Sequence, residues 1–146
     1  MAGRRAKTLT KQQLAAALRQ ASRGRYGARD RALILLSAKA GLRAGEIAKL
    51  TWPMVLDAEG RIAGQIALYD AAAKKDSGRT IPMHPELSRA LRRLHRRHDG
   101  PVIRSERGDA LRPSSVVNWF ARLYRDLKLD GCSSHSGRRT FITIKA

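Results

Sequence analysis

The sequence predicts a mainly α-helical α+β domain in which helices flank one small antiparallel β-sheet. Apolar residues recur at helical spacing in three stretches: Leu14, Ala17, Leu18 and Ala21; Leu87, Ala90, Leu91 and Leu94; and Val116, Phe120, Leu123 and Leu127. In the middle of the chain the period drops to two, with Ile62, Ile66 and Leu68 alternating with smaller or polar residues. The third observation is length. A chain of 146 residues has room for one domain with a real core and not for two comfortable ones.

The elements follow in order. Residues 1–8 read as a mobile basic arm, and 9–146 as the folded domain. Thr10-Lys11-Gln12-Gln13 forms a capping box, with Leu9 placed to staple to Leu14, so a first helix is expected over about 10–22. A loop from Ser22 to Gly27 leads to a second, largely buried helix over about 28–40, closed by Gly41. A short third helix, about 43–50, ends at Trp52-Pro53. The first strand follows, then a loop from Asp70 to Gly78 with a turn at Asp76-Ser77-Gly78, and a second strand over 79–83. Helices return at about 85–98 and 113–128.

Composition narrows the function. Thirty Lys and Arg against twelve Asp and Glu give a formal charge of +18 spread over the chain. A domain this basic repels itself unless a polyanion is its partner, and nucleic acid is the commonest polyanion. Two Trp, three Tyr and two Phe, all scattered, do not make a stacking platform for single strands. That leaves backbone contact with a duplex as the expected mode. The single Cys132 rules out an internal disulfide and a cysteine zinc site. No apolar run approaches membrane-spanning length, and no secretory signal opens the chain, so a cytoplasmic protein is expected.

Several constellations could carry chemistry. In Ser134-His135-Ser136-Gly137-Arg138-Arg139-Thr140-Phe141, a helical segment would put His135 and Arg138 on one face, a good cradle for a phosphate oxygen. Residues 38–48 admit a helix-turn-helix reading, although Pro53 leaves the second helix short for a major groove. Arg43 and Glu46, three apart, are either a functional pair at a helix start or a solvated arginine. Lys74 and Lys75 sit in the expected hairpin loop, where an ammonium can donate a proton near a leaving oxygen. Arg89, Arg92, Arg93, Arg96 and Arg97 lie opposite the leucines of the helix at 85–98, as a solvated face or a DNA-backbone contact. His95, His98 and Asp99 lack the spacing of a metal site.

Three of these segments share one order. Gly41-Leu42-Arg43-Ala44-Gly45-Glu46-Ile47, then Lys74 ahead of Arg79-Thr80-Ile81-Pro82-Met83, then His135-Ser136-Gly137-Arg138-Arg139-Thr140-Phe141 resemble the catalytic domain of tyrosine recombinases, the phage-integrase family. The resemblance runs from about Leu9 to Thr143. It implies that Arg43 and Arg138 hold a scissile phosphodiester, that Glu46 orients its neighbours, and that His135 assists proton transfer. Lys74, or Lys75 after one residue of slippage, would protonate the departing 5′ oxygen. The implied reaction needs no metal or nucleotide, and it passes through a 3′-phosphotyrosine. Duplex DNA and other recombinase subunits are the implied partners. Tyr26, Tyr69 and Tyr124 all precede the His-x-x-Arg motif, whereas family members carry the nucleophilic tyrosine after it. The chain is therefore expected to lack the nucleophile, to be inactive alone, and to expose apolar surface that favours self-association.

Overall fold

In a computed structural model, which describes residues 5–69 and 78–145, the fold consists of six helices and one two-stranded sheet. The helices are α1 (Lys11–Ser22), α2 (Gly27–Ala38), α3 (Ala44–Lys49), α4 (Pro85–Leu94), α5 (Pro113–Asp126) and α6 (Ser136–Lys145). A single 3-10 turn, Trp52–Met54, follows α3. The strands are β1 (Gln65–Leu68) and β2 (Arg79–Pro82). The predicted class, mainly α with a small antiparallel sheet, is the observed one.

Helix α2 is the centre of the fold. Every residue from Ala32 to Ala38 is buried, because α1, α4 and α6 pack around it and α3 closes one end. A helix enclosed on all sides has no polar face to keep, which is why Leu33-Ile34-Leu35-Leu36 runs unbroken. The outer helices are amphipathic. Leu87, Ala90 and Leu91 of α4, and Val116, Phe120 and Leu123 of α5, point inward, while Leu94 and Leu127 are only partly buried.

Helix ends are set by specific groups. The capping box of α1 is present in full: Thr10 Oγ1 accepts from the Gln13 N–H at 3.1 Å, and Gln13 Oε1 accepts from the Thr10 N–H at 2.9 Å. Just upstream, the Lys7 N–H donates to the Gly131 carbonyl at 2.9 Å, so this end of the basic arm is tied to the loop before α6. The Leu9 N–H donates to Thr140 Oγ1 at 2.7 Å, which fastens the start of α1 to α6. His84 caps α4, its Nδ1 accepting from the Glu86 N–H at 3.1 Å.

Two elements stop earlier than the sequence suggests. Helix α4 ends at Leu94 rather than near residue 98, with His95 already extended at φ −69°, ψ 110°. Tertiary contacts pull the chain away. The His95 ring lies on Trp52 at 4.8 Å, the Trp52 N–H donates to Gly100 O at 3.0 Å, and the Val102 N–H donates to Leu50 O at 3.0 Å. Helix α5 ends at Asp126, where Lys128 turns to φ 58° and the Leu129 N–H returns to Tyr124 O.

The sheet is also shorter than the alternation implied. Ile62 belongs to a separate tight loop, bridging to Leu56 around the Asp57 carboxylate, which accepts from the N–H groups of Glu59 and Arg61. β1 and β2 pair antiparallel with Ile66 opposite Ile81, both buried, and Leu68 opposite Arg79. The turn expected at Asp76-Ser77-Gly78 falls largely outside the described residues.

Gly41 joins a left-handed backbone to a close packing contact. It has φ +69°, and a Cβ there would stand 2.4 Å from the Phe141 ring of α6. Gly41→Ala is expected to cost about 2–4 kcal/mol, combining left-handed strain with overpacking. Gly45→Ala, in α3 with nothing near its Cβ position, is expected to be neutral or to stabilise by up to about 1 kcal/mol. Urea unfolding of both variants checks the contrast.

His84 supplies a pH dependence. Burial lowers its pKa below the ordinary 6.5, and the positive Lys39 and Arg89 lower it further against Glu86. A depressed histidine pKa means the unfolded chain binds the proton more readily. The His84 contribution is thus complete above pH 6.5 and lost as the pH falls below it. His84→Asn, which keeps a cap acceptor, should flatten the melting temperature between about pH 7 and pH 5.

Candidate functional site

The site forms where three elements distant in sequence meet. Gly41 ends the α2 region and turns the chain so that Arg43 stands as the N-cap of α3. Arg43 is exposed, and its own N–H donates to Glu46 Oε1 at 2.9 Å, the local bond that starts the helix. The hairpin brings Arg79, whose Nη2 donates to Glu46 Oε1 at 3.0 Å while Nη1 bonds Oε2, a fork-on-fork pair. α6 brings Arg138, whose Nη1 donates to the Gly41 carbonyl at 2.7 Å.

Gly137 explains why α6 can come so close. A Cβ there would meet the Ser37 side chain of α2 at 2.0 Å, so the two helices touch through a glycine. This contact and the Phe141 ring on Gly41 fix the height at which Arg138 leaves α6. Thr140 Oγ1, buried, donates to Ser136 O and so braces the same turn.

The expected histidine position changes in detail. His135 is not inside the terminal helix but just before it, exposed, with its carbonyl accepting from the Arg139 N–H at 2.9 Å. Ser133 sets the entry: its Oγ accepts from the His135 N–H at 3.2 Å, and its N–H donates to Ser136 Oγ at 2.9 Å. A serine-rich cap therefore starts α6. His135 and Arg138 remain at one end of one helix.

The electrostatics of the group favour an anion. Burial raises the Glu46 pKa, but the bonds from Arg79 and the Arg43 backbone, together with both positive charges, overcome it and hold the carboxyl below its usual value. Arg138 is pushed the other way: burial lowers its pKa, and repulsion from Arg43 and Arg79 lowers it further, with Glu46 opposing. Three guanidinium groups thus share one carboxylate. An arriving phosphate would relieve their repulsion, and arginine forks suit its oxygens.

Arg43, Glu46 and Arg138 are brought together as the sequence implied. Lys74 and Lys75 lie outside the described residues. The arginines on and beyond α4 do not form one face. Arg89 and Arg93 border a recess with Arg31 and Glu86. Arg92 turns toward Gly60, Arg61 and His95. Arg96 lies past the end of α4, beside Arg97 and Tyr26. The helix-turn-helix reading fails on length, because α3 has six residues, about 9 Å, and buries Ile47 and Ala48 within the core. His95 and His98 pack edge to face at 5.4 Å, and among the described residues no three His, Cys, Asp or Glu side chains gather as a metal site. Among those residues no helix is long and apolar enough to cross a membrane.

Arg79 is the site residue that sequence reasoning missed. Its signal lay only in strand register: Arg79 shares a strand face with the buried Ile81 while itself staying exposed, and so meets the Glu46 carboxylate beside that face. The acceptor role of the Gly41 carbonyl had no comparable signal.

A model of the phage integrase family matches residues 7–144. The fold is similar to the Tn1549 transposon integrase in complex with a circular intermediate DNA, at 20% identity and a TM-score of 0.72, covering 98% of this chain and 54% of that one. It is similar to lambda integrase bound to DNA, at 19% identity and a TM-score of 0.70, covering 97% of this chain and 51% of that one. XerA recombinase gives 20% identity and a TM-score of 0.71, with coverage of 97% and 51%. The chain thus spans about half the length of these solved structures. No curated protein matches it significantly.

The Arg79–Glu46 pair generates a direct expectation. Both side chains are partly solvated, so Arg79→Ala should cost no more than about 1 kcal/mol in urea unfolding. It should nonetheless reduce the thermal stabilisation given by inorganic phosphate, because Glu46 would then turn on Arg43. Arg79→Lys should not restore it, since an ammonium cannot make both bonds.

Proposed function

This chain belongs to the phage integrase family, and on that premise we propose that it grips a scissile DNA phosphodiester between Arg43 and Arg138 for tyrosine recombination. The convergence of Arg43, Arg79 and Arg138 around the single carboxylate of Glu46 carries the reading. Arg43 lies at the 4.0 Å limit of an ion pair with Glu46, and Arg138 is held through Nη1 by a backbone carbonyl, so both keep charge for an outside anion. Arg79 is engaged with Glu46, so it and the carboxylate serve as positioning groups. Duplex DNA is the ligand that matches both this site and a charge of +18. The setting is the cytoplasm.

In the reaction the family resemblance implies, a tyrosine oxygen attacks phosphorus and the bond to the 5′ oxygen breaks. Lys74, with Lys75 as the alternative, gives a proton to that departing oxygen. His135, exposed at the mouth of α6, assists proton transfer and binds a phosphate oxygen. Arg43 and Arg138 neutralise the charge that builds on the pentacoordinate phosphorus. No metal or nucleotide enters the scheme.

The proposal assigns none of the chain's tyrosines to the attack. Tyr124 is buried in the core, where burial pushes its phenol pKa up and away from a nucleophilic phenolate. Tyr26 lies at the far end of α2 under the guanidinium of Arg29. Tyr69 is exposed after β1, but it precedes the His-x-x-Arg motif rather than following it. By itself the chain is expected to bind DNA without cleaving it. Ile142 and Ile144, exposed on α6, support self-association.

The test is a suicide DNA substrate presented to the chain extended by a tyrosine-bearing C-terminal segment of a relative. A covalent protein–DNA adduct is expected, forming about 10²–10³-fold more slowly with Arg138→Ala. A folded, extended protein that binds the substrate and yields no adduct would overturn the proposal.

A further inference from the structure

A second basic recess lies at the other end of α2. Its wall carries Arg29, Arg96, Arg97 and Arg104, with Tyr26 and Trp52 between them. Tyr26 is the N-cap of α2 and Gly41 lies just beyond its C-terminal end. Twelve residues of helix therefore separate this recess from the site at Arg43 and Arg138, about 18 Å along the axis.

The charge here is poorly neutralised. Asp30 is the only carboxylate ion-paired to any of the four arginines among the described residues, and it is taken by Arg29 at 2.8 Å. Arg104 is turned to the Gly108 carbonyl and Arg96 to the His95 carbonyl at 3.0 Å. Arg96 and Arg97 are exposed. Backbone carbonyls orient a guanidinium without cancelling its charge, so the recess keeps a strong positive potential.

The aromatic rings decide what kind of anion fits. A base would need an open ring face to stack on. Trp52 is buried and has His95 against it at 4.8 Å. Tyr26 carries the Arg29 guanidinium 4.6 Å from its ring centre, with Arg25 at 5.5 Å. With Tyr26 holding arginines and Trp52 buried against His95, the rings do not offer a platform for bases. We infer that this recess binds a stretch of nucleic-acid phosphate backbone separate from the phosphodiester at Arg43 and Arg138, with Arg96 and Arg97 as the principal contacts. The inference stands on the recess itself and does not need the strand-transfer reading.

Salt dependence of binding tests it. A fluorescently labelled duplex of arbitrary sequence is titrated by anisotropy across about 50–200 mM salt. The Arg96→Ala/Arg97→Ala protein should show a log–log slope shallower by about 1.8, from two lost phosphate contacts. Arg122→Ala/Arg125→Ala, on exposed positions of α5 with the same loss of charge, should change the slope by less than half as much. Repeating the pair in an Arg43→Ala background should give the same decrement, whether or not Arg43 itself proves to matter. Arg97→Glu, with an unchanged melting temperature, should weaken binding more than Arg97→Ala. Equal slopes for the two double variants, or a decrement that vanishes in the Arg43→Ala background, would overturn the inference.

Discussion

The carbonyl of Gly41 joins the two halves of the site, and the fold is arranged so that this carbonyl is reachable. Its left-handed φ turns the chain from the buried α2 into α3 and so aims Arg43 outward. Its missing side chain leaves the space that the Phe141 ring fills. Its oxygen then receives Arg138 from the same helix that supplies Phe141. One backbone unit therefore sets the spacing of two guanidinium groups that are 95 residues apart in sequence. Gly137 against Ser37 does the complementary work, letting α6 lie close enough for the bond to form.

Charge balance follows from that geometry. Arginines crowded on one surface repel, and Glu46 is what lets three of them coexist. Because Glu46 bonds both the Arg43 backbone and the Arg79 fork, it ties the start of α3 to the start of β2. The carboxylate is spent on positioning, and the remaining positive charge is left for an outside anion. Pre-oriented charge of this kind needs little reorganisation when a phosphate arrives.

Much of this was legible in the sequence, because local signals and tertiary demands agree over most of the chain. Capping at Thr10 and Gln13, the glycine at 41, and the period change before β1 each have a local cause. Sequence reading was weaker where long-range contacts decide. α4 stops at Leu94 because Trp52 and Leu50 capture the segment after it, and no property of residues 95–98 encodes that. The same capture scatters the arginines expected to form one face. In the site, Arg43, Glu46 and Arg138 were visible through a motif order. Arg79 was hidden because its role depends on strand register, which places it on the face of Ile81.

The central claim is that Arg43 and Arg138 act on one phosphate. Counterion release measures it most directly, because each phosphate contact contributes about 0.9 to the log–log salt slope of duplex binding. If both arginines grip the same phosphate, Arg43→Ala and Arg138→Ala should together lower the slope by about 0.9, hardly more than either alone. A double variant whose slope falls by about 1.8, the sum of two independent contacts, would contradict the account.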